Sequence, residues 1–232
     1  MELAVPLSQQ QVDRACRVHE TLAQWRLAES ALEKLADRFP GFSAEACLLK
    51  TVAVNEIYGT QLFATVRMAR HIEAILADPS TSLMDIGLVE QIAKLPTKQG
   101  EKQRLSVSCA SKFCHFFVNA EKFPIYDDAA RDAIRLHLGT DACSMSKDNR
   151  YRAFCTNFEK LRTLAKLECT TKELDQYLWL TGMYMRWLKE RSKENPRVNQ
   201  ELRGLFQQPT PELKAMLPNH LAARIGQQAP ER

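Results

Sequence analysis

The feature that most constrains the fold of this chain is the spacing of its apolar residues, which recur every three or four positions along most of the sequence. From residue 8 to residue 39 this spacing predicts one long amphipathic helix or a pair of helices. No run of four or more residues alternates between apolar and polar as a half-buried strand does. Glycine is also scarce, with 8 among 232 residues, which disfavours turn-rich β-barrels and sandwiches and Gly-rich phosphate-binding loops. We therefore predict a compact all-α fold of about eight to ten short helices.

Helix stop and start signals divide this pattern into elements. Pro40 and Gly41 end the first helical region, and Ser43 is typical of the N-cap of the next helix. Ser82 and Thr171 are interpreted as N-caps of two later helices for the same reason. The predicted helices after residue 59 cover about 60–77, 82–95, 106–119, 127–138, 150–168, 171–191 and one segment near 211–225.

The distribution of proline suggests how the chain is organised. Five of the ten prolines follow residue 191, and the sequence there lacks the long periodic segments that precede it. We predict a single all-α domain over residues 1–191, with two helical lobes as the alternative that stays open. A Pro-rich C-terminal extension carrying a short helix is predicted over residues 192–232.

Charge is distributed unevenly along the chain. The net charge is +4, but residues 94–166 contain 14 lysines and arginines against 8 acidic residues, whereas the rest contains 18 against 20. A basic middle segment favours a polyanionic partner such as nucleic acid. A solvated helical surface explains the same counts, and charge alone favours that simpler explanation.

The sequence also carries information on the cellular location of the protein and on its cofactors. The sequence has no basic, apolar leader at its start and no apolar run near the roughly 18 residues of a membrane helix. Its seven cysteines are odd in number and form no C-x-x-C pair, which is typical of reduced thiols in a cytosolic protein. The histidines have no metal-ligand spacing. We expect a cytoplasmic monomer that needs no metal or other cofactor and does not bind membranes.

Residues 106–134, SVSCASKFCHFFVNAEKFPIYDDAARDAI, contain the most informative chemistry. Lys112 lies inside an apolar helical pattern, on the same predicted helix face as Ser108 and His115. Apolar packing favours the uncharged amine, which is a nucleophile able to form a Schiff base. Asp127 begins the following predicted helix, where a carboxylate can hold the amine or stabilise a developing cation. The alternatives are that Lys112 extends to solvent and that Asp127 is an N-cap.

The segment S-x-A-S-K-F-x-H-F, followed by F-P-I-Y-D-D, resembles the catalytic region of helix-hairpin-helix DNA glycosylases, especially their 8-oxoguanine-glycosylase-like branch. The resemblance implies that Lys112 is the Schiff-base lysine and Asp127 the essential aspartate. N-E-I-Y-G-T at 55–60 and E-L-D-Q-Y-L-W-L-T-G at 173–182 look like an early and a late helix of that superfamily. Together these matches span roughly residues 50–185, and the block at 106–128 is the specific one.

Two registers of this resemblance stay open. The Gly-rich hairpin that binds phosphate in that superfamily is not present. The equivalent stretch, from Leu95 to Leu105, has Gly100 as its single glycine. In one register Lys112 is the nucleophile; in the other Ser108 takes the lysine position and Asp127 activates water. Asp127 is essential in both registers.

The resemblance further implies a DNA N-glycosylase that bends duplex DNA, flips out a damaged or modified base and breaks its bond to the sugar. Asp127 would stabilise positive charge on the sugar, and attack by Lys112 would add strand cleavage as an AP lyase. The base stays open: an oxidised purine, an alkylated base, or a hypermodified phage base in a defence role. The candidate pocket residues are Asn55, Tyr58, Tyr126 and Trp179. The candidate phosphate contacts are Lys98, Lys102, Arg104, Lys147, Arg150 and Arg152.

Two other functions also fit the sequence. One is a DNA-binding or adaptor protein that has this fold without catalysis. The other is an all-α interaction protein with no role in nucleic-acid chemistry, which the small net charge of +4 leaves open. A core role explains the aromatic pocket candidates, and a capping role explains Asn55, more simply than base recognition does. The basic residues are also typical of an ordinary solvated surface.

Overall fold

The all-α prediction is confirmed by a computed structural model that describes residues 2–96, 105–146 and 148–225. These residues form twelve α-helices and one short 3₁₀ helix, and they contain no β-strand. In chain order, α1 to α12 are Gln9–Glu20, Ala23–Arg38, Ala44–Tyr58, Thr65–Ala77, Gly87–Ala93, Val107–Phe117, Asp128–Leu138, Arg150–Leu164, Thr171–Glu190, Gln200–Gln207, Pro211–Met216 and Asn219–Ala222. The 3₁₀ helix, Thr140–Ala142, follows α7.

The described residues divide into two compact units. Unit 1 takes its residues from Met1–Arg26, Asp127–Cys143 and Asn157–Arg232. Unit 2 takes its residues from Leu27–Tyr126 and Ser144–Thr156. Helices α10, α11 and α12 therefore belong to unit 1, and the sequence-based boundary after residue 191 stays a prediction.

Unit 1 is organised around the long helix α9, against which α1 and α7 both pack. Helix α7 turns Ala129, Ala130 and Ala133 inward, and these small side chains allow a close approach. The approach is closest at Gly182 of α9, where a Cβ atom would overlap the carbonyl group of Ala129 and lie 2.6 Å from its Cα. Glycine at this position therefore sets the spacing between the two helices.

Within unit 1, a buried histidine of α7 attaches the N-terminal segment to that helix. His137 Nδ1 lies 2.9 Å from the carbonyl oxygen of Val5, so this nitrogen donates. The opposite nitrogen, Nε2, lies 2.9 Å from Tyr177 Oη and accepts its hydroxyl proton. Burial lowers the pKa of His137, as expected for an imidazole held in its neutral form.

A buried carboxylate fixes the segment after α9. Glu190 accepts hydrogen bonds from the backbone nitrogen of Arg197 at 2.7 Å and from its Nε and Nη2 at 3.0 and 2.8 Å. These bonds, chiefly those from the Arg197 side chain, lower the pKa of Glu190 to about 2. The segment following α9 is thus attached to the end of that helix.

Unit 2 contains α3 to α6, with α3 packed on α4 and α6, and α5 packed on α4 and α6.

Of the two alternatives for residues 8–39, the pair of helices is confirmed by α1 and α2. The predicted N-cap at Ser43 is also confirmed, since Ser43 Oγ accepts from the backbone nitrogen of Ala46 at 3.3 Å. The predicted helix at 60–77 was wrong at its start, because α4 begins at Thr65. Asn55 binds the intervening loop: its Oδ1 accepts from Leu62 N at 2.8 Å.

Other predicted helix ends also need correction. Ser82 is not an N-cap, because its Oγ accepts from Met84 N and α5 begins only at Gly87. The N-cap of α9 is Thr170 rather than Thr171, since Thr170 Oγ1 accepts from Glu173 N at 3.2 Å. Helix α8 ends at residue 164, not 168, and the C-terminal segment forms three short helices where one was predicted.

Candidate functional site

Lys112 lies in the middle of α6 with its side chain buried in unit 2, 2% exposed. Its Nζ donates to Ser108 Oγ at 2.9 Å and to the carbonyl oxygen of Tyr126 at 3.4 Å. The same nitrogen lies 5.5 Å from the centroid of the Tyr58 ring. The alternative that Lys112 extends to solvent is therefore wrong, and the predicted shared face of Ser108 and Lys112 is confirmed.

The segment from Phe123 to Tyr126 is attached to the amine's surroundings by hydrogen bonds. Ser111 Oγ accepts from the backbone nitrogen of Tyr126 at 3.1 Å. His115 Nδ1 lies 2.9 Å from the carbonyl oxygen of Phe123, so it donates there. Tyr151 Oη donates to the carbonyl oxygen of Pro124 at 2.9 Å. These bonds hold the carbonyl of Tyr126 where the amine of Lys112 binds it.

Tyr58 and Tyr126 surround the amine in different ways. The Tyr58 ring stacks on Phe116, with centroids 5.6 Å apart, and faces the Lys112 amine. Tyr126 contributes its backbone oxygen, while its ring packs edge-on against Phe154 at 5.3 Å. Both tyrosines are half-buried. Tyr58 thus offers the amine an aromatic face, and Tyr126 offers it a backbone oxygen.

Asn55 is hydrogen-bonded to the chain that follows α3. Its Nδ2 donates to the carbonyl oxygen of Leu62 at 3.2 Å, and its Oδ1 accepts from Leu62 N and from Thr60 Oγ1 at 2.8 and 2.7 Å. The amide therefore binds the loop between α3 and α4. This is the capping role that the sequence left open beside base recognition.

Trp179 lies in unit 1, not with the other pocket candidates of unit 2. Its ring packs edge-on against Trp25, with centroids 4.6 Å apart, and lies 5.9 Å from the His19 ring. These three rings form an aromatic cluster between α1, α2 and α9. In unit 2, Tyr58 and Tyr126 thus lie next to the Lys112 amine. Trp179 belongs instead to the aromatic cluster of unit 1.

Asp127 is the N-cap of α7 in unit 1, as the capping interpretation predicted. Its Oδ1 accepts from the backbone nitrogen of Ala130 at 2.7 Å, and the residue is half-buried. Asp128 next to it is exposed and forms an ion pair with Arg131, at 2.9 Å. The two neighbouring carboxylates therefore have distinct environments.

Four of the six predicted phosphate contacts, Lys98, Lys102, Arg104 and Lys147, lie outside the described residues. Arg150 and Arg152 lie in the first turn of α8, and both are exposed. Arg152 Nη2 is 3.7 Å from Asp85 Oδ1, so part of its charge is compensated.

Sequence reasoning missed a second buried lysine. Lys50 of α3 is 2% exposed, and its Nζ donates to the carbonyl oxygen of Gly41 at 2.8 Å. The amine also lies 4.8 Å and 5.2 Å from the ring centroids of Phe42 and Phe117. Burial lowers the pKa of Lys50. The signal was available, because Lys50 stands in the apolar run CLLKTVAV much as Lys112 stands in its own.

Other kinds of site receive no support from the described part of the chain. Within it, no three side chains of the histidine, cysteine, aspartate and glutamate types gather as metal ligands would. Burial raises the pKa of Cys109 and brings that of Cys47 to about 11, so these thiols are protonated at neutral pH. No helix among these residues has both the length and the apolar character needed to cross a membrane.

Two similarities to known proteins each cover about half of the chain. A family model described as an N-terminal domain matches residues 11–122. A protein of Haemophilus influenzae, named as an uncharacterized protein, is 31% identical over 129 residues, which cover 55% of this chain. The aligned part spans 62% of that relative's own length. No solved structure matches the chain. The family match covers most of α1 and all of α2 to α6. Neither similarity attaches an activity to the chain.

Proposed function

We propose that this protein is a DNA N-glycosylase whose nucleophile is Lys112. The observation that supports the proposal best is the buried amine, oriented by Ser108 Oγ and the Tyr126 carbonyl and facing the ring of Tyr58. A lysine used for Schiff-base chemistry has to be excluded from water and held in one orientation, because only its uncharged form attacks. The resemblance of residues 106–128 to glycosylases supports the same assignment.

The proposed reaction begins with a nucleotide flipped out of a duplex. The bond between C1′ and the base nitrogen breaks, and the base leaves with the bonding electrons and takes up a proton. Lys112 Nζ then forms a bond to C1′ and loses a proton to water. The nitrogen lone pair forms the C=N bond of the Schiff base as the C1′–O4′ bond breaks, and O4′ keeps the bonding electrons and takes up a proton. The opened sugar allows strand cleavage by β-elimination, in which C2′ loses a proton and the 3′-phosphate leaves with the electrons of the C3′–O bond. Asp127, which directly follows Tyr126 in the chain, is proposed to stabilise the positive charge on the sugar.

The partner in this proposal is cytoplasmic duplex DNA bound by a single copy of the protein. Arg150 and Arg152 are exposed in the first turn of α8 and are proposed to contact phosphates. Lys98, Lys102, Arg104 and Lys147 complete the proposed contact set. The proposed substrate is an oxidised, an alkylated or a phage-hypermodified base, and duplexes carrying each of these distinguish among them.

A second candidate function is a DNA-binding or adaptor protein without catalysis. The observation that favours it is the same lysine, which is 2% exposed and already has two oxygen partners. In this case Lys112 serves only to attach the Phe123–Tyr126 segment to α6. The protein would then bind DNA and leave base and sugar intact.

Two buried lysines of unit 2 make a matched test possible. The protein is incubated with oxidised, alkylated, plain and phage-modified duplexes, released bases are identified by mass spectrometry, and adducts are trapped with borohydride. Lys112→Gln removes the proposed nucleophile, whereas Lys50→Gln removes an equally buried amine, and circular dichroism monitors folding of both. We expect base release and trapping by the wild type and Lys50→Gln, and neither by Lys112→Gln.

The other outcomes distinguish the alternatives. Base release without trapping by Lys112→Gln assigns the nucleophile to water activated by Asp127. Asp127→Asn keeps an N-cap and should abolish release in either case, whereas the exposed Asp128→Asn should leave it unchanged. DNA binding without release from any duplex establishes the non-catalytic function. Absence of DNA binding contradicts both candidates.

A further inference from the structure

The Lys112 amine is closed to solvent in the structure, since the residue is only 2% exposed. An electrophile reacts with an amine after it has approached the nitrogen lone pair to about 3 Å. A molecule outside the protein has no such approach while Nζ is covered. Any reaction at Lys112 therefore requires that one of the groups covering Nζ moves away.

Two of the groups that contact the amine are held in place. Ser108, whose Oγ accepts from Nζ at 2.9 Å, lies one turn before Lys112 on the same helix, so the two residues move together. The carbonyl oxygen of Tyr126, 3.4 Å from Nζ, belongs to a residue whose backbone nitrogen donates to Ser111 Oγ at 3.1 Å. Tyr151 Oη holds the same segment with a second hydrogen bond, at 2.9 Å. Moving the Tyr126 oxygen would break both of these bonds.

The ring of Tyr58 covers the amine without being part of the backbone. Its centroid lies 5.5 Å from Nζ, and the ring stacks on Phe116 with centroids 5.6 Å apart. Tyr58 and Phe116 are both half-buried, so the stack borders solvent on one side. Rotation about the side-chain bonds of Tyr58 takes its ring outward on a faster timescale than any backbone rearrangement.

The backbone that carries this ring is fixed. Tyr58 is the last residue of α3, and Gly59 ends the helix with a φ of 55°, a conformation that favours glycine. The chain that follows is attached to α3, because Asn55 Oδ1 accepts from Thr60 Oγ1 and from the backbone nitrogen of Leu62, at 2.7 and 2.8 Å. The ring can therefore turn about a point that stays in place.

We propose that Tyr58 is a gate over Lys112. Its ring closes off the amine in the free protein and has to turn outward before an electrophile reaches Nζ. The inference rests on the proposed function, because it supplies the step that admits the sugar carbon C1′ to the nucleophile. Tyr58 in this role controls access and takes no part in making or breaking bonds, and a small electrophile unrelated to DNA has to pass the same ring.

The test uses formaldehyde as the electrophile, in a short pulse with a borane reductant that converts accessible lysine amines to methylamines. Mass spectrometry of peptides then gives the rate of labelling at each lysine. In the wild type, Lys112 should label as slowly as the equally buried Lys50 and far more slowly than the exposed Lys34. Tyr58→Ala should label Lys112 about tenfold faster and leave Lys50 unchanged, because it removes the cation–π contact together with the cover.

Matched variants separate the ring from other effects of substitution. Tyr58→Phe keeps the ring and should label Lys112 at the wild-type rate. Tyr126→Ala removes another half-buried tyrosine ring of unit 2, which packs on Phe154, and leaves the carbonyl oxygen that binds Nζ. It should leave the rate at Lys112 unchanged. Tyr58→Leu fills part of the volume of the ring, should act in the direction of Tyr58→Ala, and provides the measurement if circular dichroism shows Tyr58→Ala to be unfolded.

The gate and the proposed function fail in different ways. An unchanged rate at Lys112 in the folded Tyr58 variants overturns the gate, even if base release and trapping at Lys112 are observed. A rise shared by Lys50, or an equal rise in Tyr126→Ala, also overturns it, because either result means that unit 2 has loosened. A rise confined to Lys112 and to the loss of the Tyr58 ring supports the gate, even if no base is released from any duplex.

Discussion

Replacing Gly182 with alanine should destabilise unit 1, because the added methyl group overlaps the carbonyl of Ala129 on α7. The obstacle is backbone, so no side-chain rotation relieves it and α7 has to move away from α9. Overpacking of this kind costs about 1–3 kcal/mol, and a rigid neighbour favours the upper end. Alanine returns about 1 kcal/mol through its higher helix propensity. We therefore expect a net loss of about 2 kcal/mol in the free energy of unfolding.

Tryptophan fluorescence isolates this effect. All three tryptophans of the chain, Trp25, Trp179 and Trp187, belong to unit 1, so their emission during urea unfolding follows this unit. For a chain of this size the predicted loss corresponds to a fall in Tm of about 4–8 °C. Circular dichroism at the same urea concentrations reports on helices of both units.

Gly204→Ala provides the matched control. Gly204 lies in α10 of the same unit, and an added Cβ atom there meets nothing within 4 Å. The same substitution should therefore stabilise unit 1 by up to about 1 kcal/mol. If Gly182→Ala unfolds at the wild-type midpoint, or shifts it in the direction of Gly204→Ala, the close approach of α7 and α9 described above is incorrect.

Three further predictions concern buried polar groups. Asn55→Ala leaves the backbone groups of Leu62 without their partner and should lower the free energy of unfolding by about 1–3 kcal/mol, measured by thermal circular dichroism. The pKa of Glu190 is lowered to about 2, so the contribution of its carboxylate to the free energy of unfolding is complete above pH 4.5 and is lost as the pH falls toward 2. Glu190→Gln should therefore flatten the dependence of stability on pH between these values. Because the pKa of His137 is lowered from 6.5, unit 1 should lose stability as the pH falls below 6.5, and His137→Gln should remove that slope. An unchanged profile in either variant would contradict the corresponding assignment.

The helices could be predicted because their signal is local. Apolar spacing identified α6 and α7 nearly to their ends, since a repeat of three to four residues needs no knowledge of the tertiary structure. It also located the start of α1 and the end of α2 but not the break between Glu20 and Ala23. Two of the errors occur where a side chain elsewhere in the sequence binds the residues at a predicted helix start. Asn55 binds the stretch before α4, and Arg162 Nη2 donates to Thr171 Oγ1 at 3.0 Å, which leaves the cap of α9 to Thr170.

The candidate site was predictable for the same local reason. Ser108 and Lys112 are four residues apart on one helix, so their hydrogen bond follows from spacing. The assignment of Trp179 to unit 1, and of Tyr58 and Tyr126 to unit 2, was not predictable, because it depends on which distant helices pack together. The burial of Lys50 was signalled by its apolar run, but its contact with Phe117 was not, because Phe117 is far away in sequence.

The composition of unit 1 from three separated stretches of chain has a consequence for synthesis on the ribosome. Helix α1 buries Val12, Ala15 and Val18 against α9 and α11, and α9 begins only at Thr171. The apolar face of α1 therefore emerges early and remains uncovered while the whole of unit 2 is translated. A nascent chain in this condition exposes an amphipathic helix, which chaperones bind and which promotes aggregation. Fragments ending near residue 122 should retain this uncovered face permanently, whereas the full chain covers it when its last helices are released.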